Sequence, residues 1–295
     1  MQDIQLSAVI LSYNSLHLLE NCIASIYRFN DIGSALEIIL VDNASANQHD
    51  IEIFIQNKFP EVRIILNENN AGYGAGNNIG IKNAKGQIVM LVNPDVLLHE
   101  PIFQHILAYF QKHQTQALLG IQQKDQYLKT VNSFLMRRLS IQNFWINWIY
   151  EKLGRFDSRY SVIVGACFFM NKDIFIKAGG YDENIFLYGE ERLLHERILH
   201  NFPAARISID FSKSFIHHIS NRQFDMRIVK YGLASYFYLQ KFLGKEKQKT
   251  YAEVISYYRF LVLFYTVKNK RKVAQNYKAV IDLLKNDFEK VNLKP

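Results

Sequence analysis

Three short stretches of this 295-residue chain have the residue types and spacing to do chemistry. Asn93-Pro94-Asp95 follows directly on the apolar run Ile88-Val89-Met90-Leu91-Val92, so an aspartate held by a proline backbone sits just past a buried strand. Oxygen ligands placed there suit a divalent cation, and magnesium or manganese bridging a diphosphate acts as a Lewis acid on a departing nucleoside diphosphate. The competing reading is a helix cap or Asx-turn, positions that Asp and Asn favour. Glu190-Glu191 open a helix after Tyr181-Asp182-Glu183. Carboxylates at a helix N-terminus answer the macrodipole, or one of them is a general base that takes a proton from an acceptor hydroxyl. Gly74-Ala75-Gly76, followed by Gly80, loosely imitates a dinucleotide fingerprint. It follows the third strand and not the first, and the first turn, Ser12-Tyr13-Asn14-Ser15, has no glycine. The glycines therefore serve helix-on-sheet packing or bring backbone close to a flat or charged ligand.

The surrounding elements are those that position such groups. Leu6–Leu11, Glu37–Val41, Val62–Leu66 and Ile88–Val92 are short apolar runs, the mark of strands covered on both faces. Helical spacing lies between them, at Leu16, Leu19, Ile23 and Ile26 and again at Ile51, Phe54 and Ile55. Alternation of strand and helix predicts a parallel sheet with helices on both faces, whose ligand sits beyond the carboxyl ends of the strands. Those ends are Ser12-Tyr13-Asn14, Asp42-Asn43, Asn67–Gly76 and Asn93-Pro94-Asp95, all polar or small. Residues 116–160 are less legible, and the aromatic stretch Phe144–Tyr150 reads as an amphipathic helix or a loop over the site. Val162–Met170 reads as one further buried strand, Ile207–Ile209 and Phe215-Ile216 as short strands, and residues from Met226 onward as helical.

The net charge of +8 is uneven. Residues 221–295 carry 16 Lys or Arg against 6 Asp or Glu, and the other 220 residues carry 19 against 21. Basicity thus belongs to the tail, which suggests an anionic partner, a membrane surface above nucleic acid, or a plain solvated face. Tyr231, Tyr236, Phe237, Tyr238 and Phe242 with Lys245, Lys247 and Lys249 would lie in a headgroup region, or would pack the tail helices onto the rest. Cys22 and Cys167 sit far apart in apolar runs and read as small buried hydrophobes in a reducing compartment. The first five residues lack a signal-peptide pattern, and the apolar run Phe260–Val267 is far below the ~20 residues of a membrane span. A cytoplasmic protein, peripheral at the inner membrane face, is the expectation.

Six ordered segments carry a resemblance: Val9–Asn14, Val41–Ser45, Asn69–Gly80, Leu91–Val96, Gly165–Met170, and Gly179 through Glu191. Together they resemble the family 2 glycosyltransferases, within them the rhamnosyltransferase-like members that build bacterial surface polysaccharides. The resemblance covers Leu6 to Ser220. It implies an α/β GT-A fold, Rossmann-like with a mainly parallel sheet flanked by helices, here with a helical C-terminal extension. It implies a catalytic domain over 1–220, with a nucleotide-binding half to about 98 and an acceptor-binding half from 99, and a basic aromatic extension over 221–295.

Position by position, the resemblance assigns Ser12, Asn14 and Asn93 to the nucleotide and Asp42 to reading a pyrimidine ring. Asn70, Gly72 and Asn77 fall in the loop over base, ribose and diphosphate. Asp95 matches the last carboxylate of the family's metal motif, with Asn93 in place of the first, and His217 or His218 would complete the metal site. Gly165, Ala166 and Tyr188 fall near donor sugar or acceptor. Glu190-Glu191 stands where the family has Glu-Asp, so Glu191 as base is one methylene longer, and Glu190 stays a candidate beside it. Leu193 lacks an acidic residue common there, while Arg197 keeps the basic one. The implied reaction is an inverting transfer from a UDP- or dTDP-type sugar, with Mn2+ or Mg2+, to a glycan or lipid-linked acceptor. The alternatives are a sugar-phosphate nucleotidyltransferase, which wants a lysine-bearing glycine loop after the first strand, and a non-catalytic sugar-nucleotide-binding homologue.

Overall fold

A computed structural model describes residues 3–218 and 224–286. The first four strands, β1 (Leu6–Ser12), β2 (Leu36–Asp42), β3 (Arg63–Leu66) and β4 (Ile88–Val92), run parallel in the order β3-β2-β1-β4. Helices α1 (Leu16–Arg28), α2 (Gln48–Lys58) and α3 (Tyr73–Asn83) connect them. Strand β1 shows why the run is apolar throughout. Leu6, Ala8 and Ile10 pack with α1 residues Leu19, Cys22, Ile23 and Ile26 on one face, while Val9 and Leu11 pack with Ile81 of α3 on the other. Both cysteines are buried free thiols, and burial pushes the Cys22 thiol up to about 12.

The second half of the chain adds β5 (Val96–Leu98), α4 (Phe103–Lys112), β6 (Gln116–Lys124), β7 (Phe134–Met136), α5 (Ile141–Leu153), β8 (Ser161–Ile163) and β9 (Cys167–Asn171). It continues with α6 (Lys172–Lys177), α7 (Glu190–Asn201) and β10 (Arg206–His217). The complete eight-stranded sheet has the order β3-β2-β1-β4-β9-β6-β10-β5, and β7 pairs with β8 in a separate ribbon. The sheet is mixed: β9 is antiparallel to both neighbours, and β5 is antiparallel to β10.

These reversals decide where the chemistry meets. Because β9 runs against β4, its start lies beside the end of β4, with Val92 opposite Cys167. Because β10 runs against β5, His217 lies opposite Val96, one residue from Asp95. Two sequence expectations need correction here. Val162–Met170 is two strands, because the chain leaves the β7–β8 ribbon at Ile163 and joins the main sheet at Cys167, with Gly165 in the crossing. The two short strands near 207 and 215 are one strand, β10, with a register shift between Asp210 and Ser214.

Helices α8 (Met226–Phe242), α9 (Lys247–Val267) and α10 (Arg271–Asn286) follow. Leu233, Tyr236, Val254, Ile255, Val280 and Leu284 give them a shared core, and Leu239 packs with Ile185 and Leu193 beside α7. The expected boundary at 220 falls among residues 219–223, and the end of the extension at 287–295, both outside the described residues.

Candidate active site

The carboxyl ends of β1, β2 and β4 open into one cavity of about 340 Å³, lined among others by Tyr13, Asn43, Asn70, Gly72, Tyr73 and Asn93-Pro94-Asp95. Phe186 and Leu187, from the loop before α7, form its far wall. Tyr73 N–H donates to Phe186 O at 2.9 Å, so the two loops are zipped together. Gly72 makes this approach possible. Its φ is +104°, and a Cβ there would lie 2.8 Å from Phe186 Cα. Gly80 has a different task, since a Cβ on it would meet Val41 Cγ2 at 3.0 Å, and it serves packing of α3 on the sheet.

Tyr73, which sequence reasoning missed, ties the exit of β4 to the crossing between β8 and β9. Its hydroxyl lies 2.8 Å from Gly165 O and 3.0 Å from Asn93 Oδ1. One hydroxyl proton serves one acceptor, so an Asn93 amide turned to offer its Nδ2 satisfies both contacts. Burial, and then Glu191 and Glu190 nearby, hold the Tyr73 hydroxyl well above its ordinary pKa, so it stays a neutral donor. The only sequence signal for it is one aromatic between two glycines.

Asp95 Oδ2 lies 3.2 Å from His217 Nε2, and His217 Nδ1 lies 3.3 Å from Gln123 Oε1. Two tautomers fit: Nε2–H donates to Asp95, or Nδ1–H donates to Gln123 Oε1 and leaves the Nε2 lone pair beside the carboxylate. The second arrangement is the one a cation shared by Nε2 and the carboxylate would select, since a histidine ligand commonly donates its other N–H. The donor set fits a divalent cation. No group of three or more His, Cys, Asp or Glu able to hold a metal occurs among the described residues. Protein would supply at most these two ligands, with substrate phosphate and water the rest, the usual habit of magnesium sites. His218 does not join them: its side chain is exposed, while its N–H donates to Asp95 O at 3.0 Å. Asn93 N–H donates to Ala166 O at 2.8 Å, which pins the β4 exit to the β9 approach.

The carboxylates at the start of α7 differ. Glu190 is buried, with Oε1 lacking a hydrogen-bond partner among the described residues. Burial first, then Glu191, raise its pKa from 4.5 to about 8. Glu191 is half-buried and reaches Gly165, and burial raises its pKa as well. Like charges so close do not both ionise readily. The folded Glu190 pKa exceeds the unfolded value, so its contribution to stability is complete below about 4.5 and is lost as pH rises through about 8. Glu190→Gln is expected to raise the melting temperature near pH 8 by a few degrees, at roughly 2–4 °C per kcal/mol, and to change little near the low end. Thermal melts of both proteins across that range check this.

A Cβ at Gly165 would run into Glu191 Oε1 and come within 3.0 Å of its Cδ. The obstruction is the flexible end of a side chain, so Gly165→Ala should fold normally and displace the carboxylate. A misplacement near 1 Å costs about 10²-fold. Unchanged melting with a loss of that order in steady-state turnover is the expected result.

The other residues expected at the nucleotide, and Tyr188 expected near donor sugar or acceptor, do not line this cavity. Ser12 is buried, with its hydroxyl 2.9 Å from that of Ser15. Asn14, at φ +52°, ties two loops by donating N–H to Ser45 Oγ and accepting from Ala46 N–H. The buried Asp42 carboxylate accepts from Ser45 N–H, Ser45 Oγ–H and Gln48 Nε2, and its neighbour Asn43 borders the cavity. Asn77 is buried in α3 with Nδ2 donating to Tyr73 O. Tyr188, at φ +68°, is half-buried two residues before Glu190.

A parallel nucleotide-type half-sheet joined through antiparallel strands to an acidic helix N-terminus is the GT-A arrangement. The model of Glycosyl transferase family 2 matches residues 7–179, more than half of the chain, and the protein belongs to that family. Bacillus subtilis "Minor teichoic acid biosynthesis protein GgaB" is 28% identical over 83 residues, which cover 28% of this chain and 9% of that protein. Streptococcus pneumoniae "Glycosyltransferase GlyG" is 28% identical over 116 residues, 39% of this chain and 38% of that one. The chain thus matches well under half the length of either relative. Among solved structures, the Pyrobaculum calidifontis mannosyltransferase PcManGT in complex with GDP-Man and Mn2+ aligns at a TM-score of 0.60 and 14% identity, over 95% of this chain and 75% of that one. S. aureus TarS 1–349 in complex with UDP aligns at 0.56 and 16%, over 95% and 91%. At these identities the likeness concerns the fold.

Proposed function

We propose that the protein transfers a sugar, with inversion, from a UDP- or dTDP-type donor to a hydroxyl of a glycan or lipid-linked acceptor in bacterial cell-surface polysaccharide synthesis. The observation that carries this reading is a cavity bordered by Asp95 and Tyr73, with His217 3.2 Å behind Asp95 and, behind Tyr73, Gly165 O 2.8 Å from its hydroxyl and Glu191 against Gly165. Family membership and the names of the teichoic acid relative and the UDP-bound neighbour support it. Residues to about 98 hold the donor, residues 99–220 the acceptor, and 221–295 form an extension.

Asn43, Asn70 and the Gly72 backbone border the nucleotide, and Asp42 acts by holding the turn that presents Asn43. Asp95 and His217 would hold Mn2+ or Mg2+, which supplies Lewis-acid neutralisation of the leaving diphosphate. Glu191 takes the proton of the acceptor hydroxyl, and that oxygen bonds to the anomeric carbon from the face opposite the diphosphate. The bond from the anomeric carbon to the diphosphate oxygen breaks, and the nucleoside diphosphate leaves with the electron pair. A carboxylate beside the developing oxocarbenium charge also stabilises it. Burial raises both carboxyl pKa values, and Glu191, which reaches Gly165 and is the less buried of the two, takes the base role.

Thermal shift with a panel of nucleoside diphosphates tests the reading. UDP or dTDP should raise the melting temperature more with Mn2+ than without it. No shift with any nucleoside diphosphate at any metal concentration would overturn it.

A further inference from the structure

Helix α5 is built inside out. Its buried side chains are Asn143 and Asn147, whose amides donate to Tyr160 O, while the Ser161 hydroxyl donates to Asn147 Oδ1 at 3.0 Å. Its outward side chains are Ile141, Trp145, Trp148 and Ile149, with Trp148 44% exposed. Their spacing of four, seven and eight residues places them on one helical face, the reverse of an ordinary surface helix.

The face continues onto α9. Phe144 stands 5.2 Å from Phe260 and 5.1 Å from Phe264, ring centre to ring centre, and Trp145 stands 5.6 Å from Phe264. Beyond them Leu263 is 64% exposed and Val267 78%. A contiguous apolar surface of this kind marks an interaction site. No helix among the described residues is long and apolar enough to cross a membrane.

Charge selects the occupant. Lys268 Nζ sits 4.5 Å over the Phe264 ring, and Lys270, Arg271 and Lys272 follow, all exposed, with exposed Arg259 upstream on α9. Residues 254–272 contain no Asp or Glu, and the acid on α5 is Glu151, next to Lys152. A second copy would bring two basic rims together. Nucleic acid would want cations interleaved with the rings, whereas here indoles and aliphatics form the centre and cations one border. Indoles at headgroup depth, aliphatics at the acyl boundary and Lys or Arg on phosphates describe an anionic bilayer surface. The tyrosines of α8 are engaged elsewhere: Tyr236 is buried, Tyr231 packs 5.8 Å from Phe186, and the Tyr238 hydroxyl donates to Asp182, while Phe242 at the helix end is exposed.

We propose that the face formed by α5 and the end of α9 seats the protein, in plane, on an anionic bilayer. This inference is independent of the catalytic reading, since it rests on other residues and is tested by binding. The full chain should co-sediment with vesicles of phosphatidylcholine and phosphatidylglycerol at low salt, less at high salt, and little with phosphatidylcholine alone. Tryptophan emission should shift to the blue on binding. Trp145→Ser with Trp148→Ser should weaken binding about tenfold or more. Replacing Lys268, Lys270, Arg271 and Lys272 by Gln should weaken it roughly a hundredfold. Both variants should keep wild-type melting and nucleoside diphosphate binding. Absence of binding to anionic vesicles at low salt, or equal binding by both variants, would overturn the proposal. So would a Trp variant that turns a dimer into a monomer with vesicle binding intact, because the face would then join two copies.

Discussion

Glu191→Gln should lower sugar transfer by about 10²- to 10⁴-fold, the range a positioned general base contributes. The amide keeps the shape and the contact with Gly165 but cannot accept the hydroxyl proton at a useful rate. Nucleoside diphosphate affinity, read by thermal shift or calorimetry, should stay within about twofold, because the residue lies across Tyr73 from the nucleotide cavity. The matching Glu190→Gln variant should lose less, since Glu190 is the more deeply buried of the two and burial favours its neutral form. Glu190→Gln inactive beside a fully active Glu191→Gln would reverse the assignment. Activity of the native enzyme should also rise with pH through a range above the ordinary carboxylate value, because burial raises the Glu191 pKa.

Asp95→Asn should remove the metal dependence of nucleotide binding. The substitution keeps a polar group near His217 Nε2 but takes away the carboxylate charge that a divalent cation needs. The expected result is at least about a tenfold loss in the Mn2+-assisted affinity for UDP or dTDP, with metal-free affinity little changed. His217→Gln should show a smaller loss of the same kind, and His218→Gln almost none, because that side chain is exposed. Calorimetric titration with and without Mn2+ separates the three. An Asp95→Asn protein with undiminished metal dependence would remove Asp95 from the cation.

What the sequence made legible follows from how each signal arises. Strands β1, β2 and β4 could be read because both faces are covered, so nearly every residue is apolar and the polar ends stand out. The same rule misled at Val162–Met170, where an unbroken apolar run crosses from one sheet to another at Gly165. Strand β10 was read as two pieces because the shift near Asp210 places polar residues within one ladder. Asn70, Gly72, Asn93 and Asp95 were found because they end strands or flank glycines, and all four border the cavity. Gln123 could not be found, since its partner His217 is 94 residues away and nothing local distinguishes it. Asp42 was picked out for its position at the end of β2, but its partners Ser45 and Gln48 lie a few residues on, and no pattern of residue types reveals those bonds. The tail's composition could not say which aromatics face outward, because α8 turns its tyrosines inward and α9 exposes Leu263 and Val267.

Asn93-Pro94-Asp95 thus stands beside His217 of β10 and Tyr73 of α3, which no local reading connects to it. The most direct measurement is nucleoside diphosphate release from a panel of UDP- and dTDP-sugars, in Mn2+ and in chelator, for the native protein and Glu191→Gln. The account predicts release from at least one donor, lost on chelation and lost in the variant. Release indifferent to both, or none at all from a protein that still binds the nucleotide with Mn2+, would contradict it.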